Sequence, residues 1–203
     1  MNEKLKKLIS LLFFLTISIG LTGCTTLLEE DNQDNTDQST FLNIPLRNIT
    51  LTEEDMPSSY LQVSENHNTT SQTVENITGN GLNWSILERY DVTFYANITN
   101  GVMESLMKFE TSQEAYNLTI LSKNNMLESN YIQKSIEQIG DISFLLNRTI
   151  TYENNESQYY TLLFSIDNVF VALGGSTPEE STFINFAKII EQKILDEIEK
   201  ESG

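Results

Sequence analysis

The chain has one cysteine, one histidine, one tryptophan and three prolines in 203 residues. Basic residues are scarce too, with 12 lysines and arginines against 29 aspartates and glutamates and a net charge of −17. A lone cysteine leaves no partner for an internal disulfide, so covalent stapling is excluded. A lone histidine excludes a multi-histidine metal site. The shortage of positive charge argues against a nucleic-acid partner and against a basic patch lying on anionic lipid. It suits a solvated surface protein.

What is present organises around Leu21-Thr22-Gly23-Cys24, which closes an apolar N-terminal stretch and carries the single cysteine. Lys4, Lys6 and Lys7 precede a nearly all-apolar run over residues 8–21, the charged and apolar regions of a signal peptide. Small Thr22 and Gly23 let a peptidase approach the bond before Cys24. A thiol is the side chain that can be alkylated to a diacylglyceryl thioether. The four residues resemble the lipobox of bacterial and archaeal lipoproteins, which implies cleavage before Cys24 and lipid attachment at its sulfur. An ordinary secretory signal with a chance cysteine, an uncleaved membrane helix and a free core cysteine are the competing readings. The apolar run is shorter than the roughly 18–20 residues a spanning helix needs.

Three regions follow. Residues 1–23 are the lipoprotein signal peptide. Residues 24–43 are the lipidated cysteine and a flexible acidic tether, rich in Asp, Asn, Gln, Thr and Ser and too poor in apolar residues to pack. Some 20 such residues span roughly 25 Å root-mean-square, enough to lift a domain off the headgroups. Residues 44–203 are a single globular domain, large enough to bury a core. Processing leaves nine basic and 28 acidic residues, a net charge of −19.

Within the domain, residues 51–57 read as a strand end and a short acidic helical turn stopped by Pro57. Residues 60–63 read as a strand, and residues 66–83 as a polar loop ending in the turn-prone Gly79-Asn80-Gly81. Tyr90, Val92, Phe94, Ala96 and Ile98 alternate with polar neighbours, the pattern of a half-buried strand. Asn100-Gly101 then predicts a tight hairpin turn at positive φ. The return strand is expected to bury Met103, Met107 and Phe109 and to expose Glu104 and Lys108. Thr111-Ser112-Gln113-Glu114 is a capping box opening a helix to about Leu127, with an apolar set of Ala115, Leu118, Ile120 and Met126. Residues 142–152, an Asn154-Asn155-Glu156 turn, the alternation of Tyr160, Leu162, Phe164 and Ile166, and an Asp167-Asn168 turn into residues 169–173 predict a three-stranded meander. Thr177-Pro178-Glu179-Glu180 caps a last helix. It sets Phe183, Ala187, Ile190, Ile194 and Ile198 opposite Asn185, Lys188, Gln192, Asp196 and Glu199.

This order predicts an α+β fold: an antiparallel sheet of about five to seven strands with helices packed on it. Four places resemble small prokaryotic surface lipoproteins of the PsbP-like α/β sandwich type. They are Phe109-Glu110-Thr111 leading to Ala115, the Ile139-Gly140-Asp141-Ile142-Ser143 turn, the Asp167-Asn168-Val169-Phe170-Val171 hairpin, and the final helix. The similarity covers about residues 90–200. It implies a binding or accessory module, and no family active site transfers residue by residue.

Eight asparagines head Asn-x-Ser/Thr triplets: Asn48, Asn68, Asn76, Asn83, Asn97, Asn117, Asn147 and Asn155. With 21 asparagines in the chain, eight is roughly twice what chance supplies for this acceptor motif. Asn97 is placed on the polar face of its strand and Asn155 on a hairpin tip, where a glycan fits. A lipobox with sequons is similar to archaeal surface lipoproteins; an asparagine-rich composition without modification is the alternative.

Other candidates carry less. Asp31, Asp34 and Asp37 lack the glycine, spacing and terminal glutamate of an EF-hand. His67 reads as an exposed loop residue. Gly174-Gly175-Ser176-Thr177 precedes a helix as a phosphate cradle would, but no lysine follows, and Glu179 and Glu180 sit where an anion would go. Glu53, Glu54, Asp55 and Glu179 could supply a carboxylate pair, which only a cleft at defined separation makes catalytic. Trp84, Tyr90, Tyr95, Tyr159 and Tyr160 could line a ligand groove, although alternation assigns about half of them to the core.

The sequence therefore predicts a lipid-anchored protein on the extracytoplasmic face of the cell membrane, held there through the lipid at Cys24. Its domain is expected to be non-enzymatic and to bind an envelope protein, an envelope polymer or a small ligand, without metal, cofactor or nucleic acid. The alternative is a small secreted hydrolase working with carboxylates.

Overall fold

In the computed structural model the N-terminal part of the domain, residues 43–56, lies as a strap across the middle of a sheet. The structure describes residues 43–75, 83–97, 99–152, 155–176 and 179–202. The signal peptide, the lipobox with Cys24, the tether up to residue 42, the Asp31/Asp34/Asp37 set, Asn76, the Gly79-Asn80-Gly81 turn, Ile98, Asn154 and the Thr177-Pro178 cap lie outside them. The strap contains a one-turn helix, α1 (Leu46–Ile49), and a 3-10 turn at Glu53–Asp55. The eight strands that follow are β1 (Leu61–Asn68), β2 (Gln72–Glu75), β3 (Asn83–Tyr95), β4 (Gly101–Phe109), β5 (Ile132–Lys134), β6 (Ile142–Tyr152), β7 (Asn155–Ile166) and β8 (Val169–Ser176). Helix α2 (Ser112–Glu128) joins β4 to β5, and α3 (Glu180–Ser202) ends the fold.

Every strand pairing is antiparallel, in the order β1-β3-β4-β8-β7-β6-β5, with β2 continuing the β1 edge along the first half of β3. This is the expected α+β fold, an antiparallel sheet with helices packed on it. After β4 the chain crosses one face as α2 to the far edge. It then returns by β6 and β7 until β8 pairs with β4 in the centre. Two cores result. The strap and α3 cover one face, with Leu46, Ile49 and Leu51 packed together with Val92, Phe94, Leu106, Leu162, Phe164, Phe183, Ile190 and Ile194. On the other face, Trp84, Ile86, Phe109, Leu146, Leu163 and Phe170 enclose Ala115 and Leu118 of α2.

Local chemistry explains the elements that the sequence predicts. Thr111 caps α2 by accepting from the Glu114 amide, and the Glu114 carboxylate accepts from the Thr111 amide. The helix stops where Asn130 adopts φ 65° and the Tyr131 amide donates back to Met126 O at 3.1 Å, a left-handed cap of the Schellman kind. Of its predicted apolar set, Ile120 is off the buried stripe, and Thr119 takes a buried place by donating its hydroxyl to Ala115 O. Asp167 turns β7 into β8 at φ 48°, and Ile166 pairs with Val169. On α3, Phe183, Ala187, Ile190 and Ile194 are fully buried, while Asn185, Lys188, Gln192, Asp196 and Glu199 are exposed.

Four expectations are corrected. Residues 66–83 are not one polar loop: β1 runs to Asn68 and β2 occupies residues 72–75. An exposed edge strand needs no apolar alternation, so its polar residues gave no strand signal. Strand β3 ends at Tyr95, and the link to β4 is the five residues 96–100 rather than an Asn100-Gly101 turn. Neither Asn100 nor Gly101 has positive φ. Asn97 therefore belongs to this link, where its Oδ1 accepts from the amides of Thr99 and Asn100. Glu104 and Lys108 are buried rather than exposed, because the strap covers their face and supplies polar partners.

Candidate functional site

The polar groups under the strap build the site. Strand β3 carries a bulge between Ile86 and Glu88. The extra residue shifts the alternation, so Ile86 faces α2 while Glu88, Tyr90, Val92 and Phe94 face the strap. Glu88 stands opposite Lys108 of β4, and their charged ends meet at 2.8 Å with each side chain less than a tenth exposed. The Glu88 carboxylate also accepts from the Leu46 amide at 3.0 Å and lies 2.8 Å from His67 Nε2, while the Lys108 ammonium donates to Ile44 O at 3.0 Å. Burial alone would raise the Glu88 carboxyl, but the bonds from Lys108 and His67 outweigh it and hold the group below the usual carboxylate range.

His67 is thus not a loop residue. It stands on β1, its ring lies 5.0 Å from that of Tyr90, and its side chain is 27% exposed. Tyr90 in turn donates its hydroxyl to Glu65 at 2.5 Å. Burial and then the neighbouring Glu65 carboxylate push the Tyr90 phenol upward.

Where the strap leaves the sheet an open cavity of about 420 Å³ remains, lined by Asn43, Pro45, Arg47, His67, Thr69, Leu87, Glu88 and Lys108. The bulge residue Leu87 forms part of its wall. No other stretch of the sequence pointed here, because the lining comes from the strap and three strands. Of this set, the sequence offers only His67 as a candidate for chemistry, while Lys108 is expected at the surface.

A second polar station lies further along the strap. The Glu104 carboxylate accepts from the Thr50 hydroxyl and the Leu51 amide, both at 2.9 Å. Its other oxygen has no partner among the described residues. Burial raises its pKa to about 7, against the partial opposition of those two bonds. A carboxyl that stays protonated near neutrality is what a general acid requires. Glu104 is 1% exposed and does not line the cavity, so it is sealed from substrate. Lys193 of α3 completes the station, donating to Thr50 O at 2.8 Å and to Asp55 at 2.6 Å.

No family model, curated protein or solved structure matches the chain.

The remaining sequence candidates do not converge on this place. Among the described residues no three histidine, cysteine, aspartate or glutamate side chains form a metal-ligating group. Gly174 and Gly175 are strand residues paired with β4, and a Cβ on Gly175 would lie 2.1 Å from Gly101 O. Close strand approach accounts for that glycine. Trp84, Tyr90 and Tyr160 are core residues and Tyr95 and Tyr159 are half-buried, so they form no exposed aromatic groove. Of Glu53, Glu54 and Asp55, Asp55 pairs with Lys193, and the Glu53 carboxylate accepts from the Gln62 amide.

Among the sequons, Asn48 and Asn97 are exposed, and Asn68, Asn117 and Asn147 are half-buried. The amide nitrogens of Asn48 and Asn147 donate to Glu197 and Gln158. For Asn83 and Asn155 only the backbone is described, each residue beginning a strand. No helix among the described residues is long and apolar enough to cross a membrane.

Proposed function

We propose that this chain is a lipid-anchored, extracytoplasmic binding domain whose ligand enters the cavity beside the strap. The lipobox residues Leu21, Thr22, Gly23 and Cys24, behind a charged and an apolar region, support the anchor. The PsbP-like resemblance belongs to the same proposal, supported by an antiparallel sheet with α2 on one face and α3 on the other.

One observation carries binding over catalysis. Both oxygens of Glu88 are already engaged, one by Lys108 and the other by His67 and the Leu46 amide. A carboxylate that carries three such bonds on its two oxygens, with its side chain 8% exposed, is fixed in place and holds the cavity's shape rather than standing free to take a substrate proton. The glycosylation reading keeps Asn97 as its first site: it is exposed and lies in the β3–β4 link.

Intact-mass measurement with labelled lipid tests the anchor. Wild type should lack residues 1–23 and carry label with at least two acyl chains, since one chain binds membranes only marginally. Cys24→Ser should carry none. A full-length, unlabelled wild type overturns the anchor. Hydrolysis of envelope polymers that disappears in His67→Ala or Glu88→Gln overturns the binding reading in favour of a carboxylate-based hydrolase.

A further inference from the structure

The charges around the cavity name its ligand class, an inference that rests on the binding-domain reading. The nine lysines and arginines of the domain are all described. Six pair with carboxylates: Arg89, Lys108, Lys134, Lys188, Lys193 and Lys200. Lys123 and Arg148 lie over the rings of Phe144 and Tyr131. Arg47 alone has no hydrogen bond, ion pair or ring partner for its guanidinium among the described residues. In a chain with more than twice as many acidic as basic residues, a cation with neither a carboxylate nor a ring partner among the described residues is the exception, and this one stands on the cavity wall.

The other lining residues complete a pattern. Glu88, the only carboxylate among the described lining residues, is matched by the Lys108 ammonium at 2.8 Å, so the described wall is left with the positive charge of Arg47. Pro45 and Leu87 give apolar surface, and Asn43 and Thr69 give short polar side chains. A volume of about 420 Å³ lies in the range that holds small organic molecules. Guanidinium presents a planar fork that fits a carboxylate through two parallel N–H···O bonds.

We infer that the cavity binds a small organic carboxylate, with Arg47 forked onto the acid group and Pro45 and Leu87 against the apolar body. Inorganic phosphate would engage the guanidinium and leave those apolar walls unused. That difference makes phosphate the informative rival.

The test uses the full chain, isotope-labelled and held in neutral detergent, with amide shifts followed by NMR. Benzoate, benzamide and inorganic phosphate are the probes. Benzoate should shift the amides of Arg47, Thr69 and Leu87 saturably and bind about tenfold or more tightly than benzamide, which has the shape without the charge. Arg47→Gln should weaken benzoate about tenfold while leaving the remaining amide spectrum in place, because Arg47 is exposed and contributes nothing to the core. Arg47→Lys should recover part of the loss through charge without the fork.

Equal binding of benzoate and benzamide, no saturable shift at these amides, or tighter binding of phosphate than of benzoate would each overturn the inference. These outcomes are separate from the anchor test. A chain without lipid leaves the cavity result standing, and a benzoate failure leaves the lipid result standing.

Discussion

Glu88 and Lys108 sit opposite each other on β3 and β4 and form a 2.8 Å ion pair in which each partner also holds the main chain of the strap. The pair is therefore both a cross-strand contact and a clasp. Taking two charges out of water is costly, and a buried pair breaks even only when further hydrogen bonds satisfy both ions. Here the Leu46 amide and Ile44 carbonyl supply such bonds.

Removing both partners should cost less than the sum of removing each. Lys108→Met leaves Glu88 buried without its ammonium, held only by His67 and the Leu46 amide, and should cost about 3–5 kcal/mol. The double variant Glu88→Gln with Lys108→Met should lose clearly less than the two single losses combined, as a double-mutant cycle in chemical denaturation will show. Additive losses would mean that the two residues act independently.

Glu104 sets a pH dependence of opposite sign to an ordinary paired carboxylate. Its pKa rises from 4.5 to about 7 on folding. Below the unfolded value both states are protonated and its contribution is fully present. As pH climbs, the unfolded chain releases the proton first, so stability falls through the folded pKa. The loss reaches about 3 kcal/mol above pH 7. Asp55 and Glu88 are lowered from 3.8 and 4.5, so their contributions fade only in more acid solution. Asp167, raised by burial and by Asp141, adds a loss of the same sign, so the comparison with Glu104→Gln at pH 5 and pH 8 separates Glu104's share: wild type should be less stable at pH 8, and Glu104→Gln should reduce the difference. An equal pH response in both proteins would refute this account.

The buried and exposed faces of α3 should separate cleanly. Ile190 is fully buried, so Ile190→Ala should destabilise by about 2–5 kcal/mol. Gln192 is exposed and donates to Asp196 one turn on. Gln192→Ala should change stability by less than about 0.5 kcal/mol. Similar melting shifts would place the wrong face against the sheet.

Gly140 should tolerate no side chain. Its φ is +61°, and an added Cβ would come 2.4 Å from Ser165 O. Its amide also donates to Glu191 of α3 at 2.7 Å. Gly140→Ala should lower the urea midpoint by an amount worth more than about 1 kcal/mol, from the backbone conformation and the clash together. A midpoint at or above wild type would show that the turn can rearrange freely.

Sequence periodicity reached the parts of this fold whose logic is local. The stripe of α3 and the alternation of β7 repeat within a few residues, and the Thr111 and Asp167 turns are short-range chemistry. The strap site is not local. Leu46 meets Glu88 across 42 positions, Thr50 meets Glu104 across 54, and Lys108 meets Ile44 across 64. A pattern rule assigns Glu104 and Lys108 to solvent because charged residues are rarely buried. It has no means of knowing that distant main chain will satisfy them. The far end of β1, beyond the predicted strand at residues 60–63, carries no signal for the converse reason, since its burial is too slight to impose alternation. Of the cavity lining, only His67 stands out in the sequence as a candidate for chemistry, and its partner Glu88 is visible only in three dimensions.

The strap also determines how the fold bears mechanical load. A pull delivered through the chain before Asn43 reaches first the Ile44 carbonyl and the Leu46 amide, clamped to β4 and β3, and then Thr50 and Leu51, clamped to β4 and α3. These grips lie on inner strands and on the terminal helix rather than on β1 or β5 at the margins. Tension from this side therefore meets buried polar bonds to inner strands before it reaches either outer strand. The charged pairs that are costly to bury double as the rivets at the point where drag on the domain would concentrate.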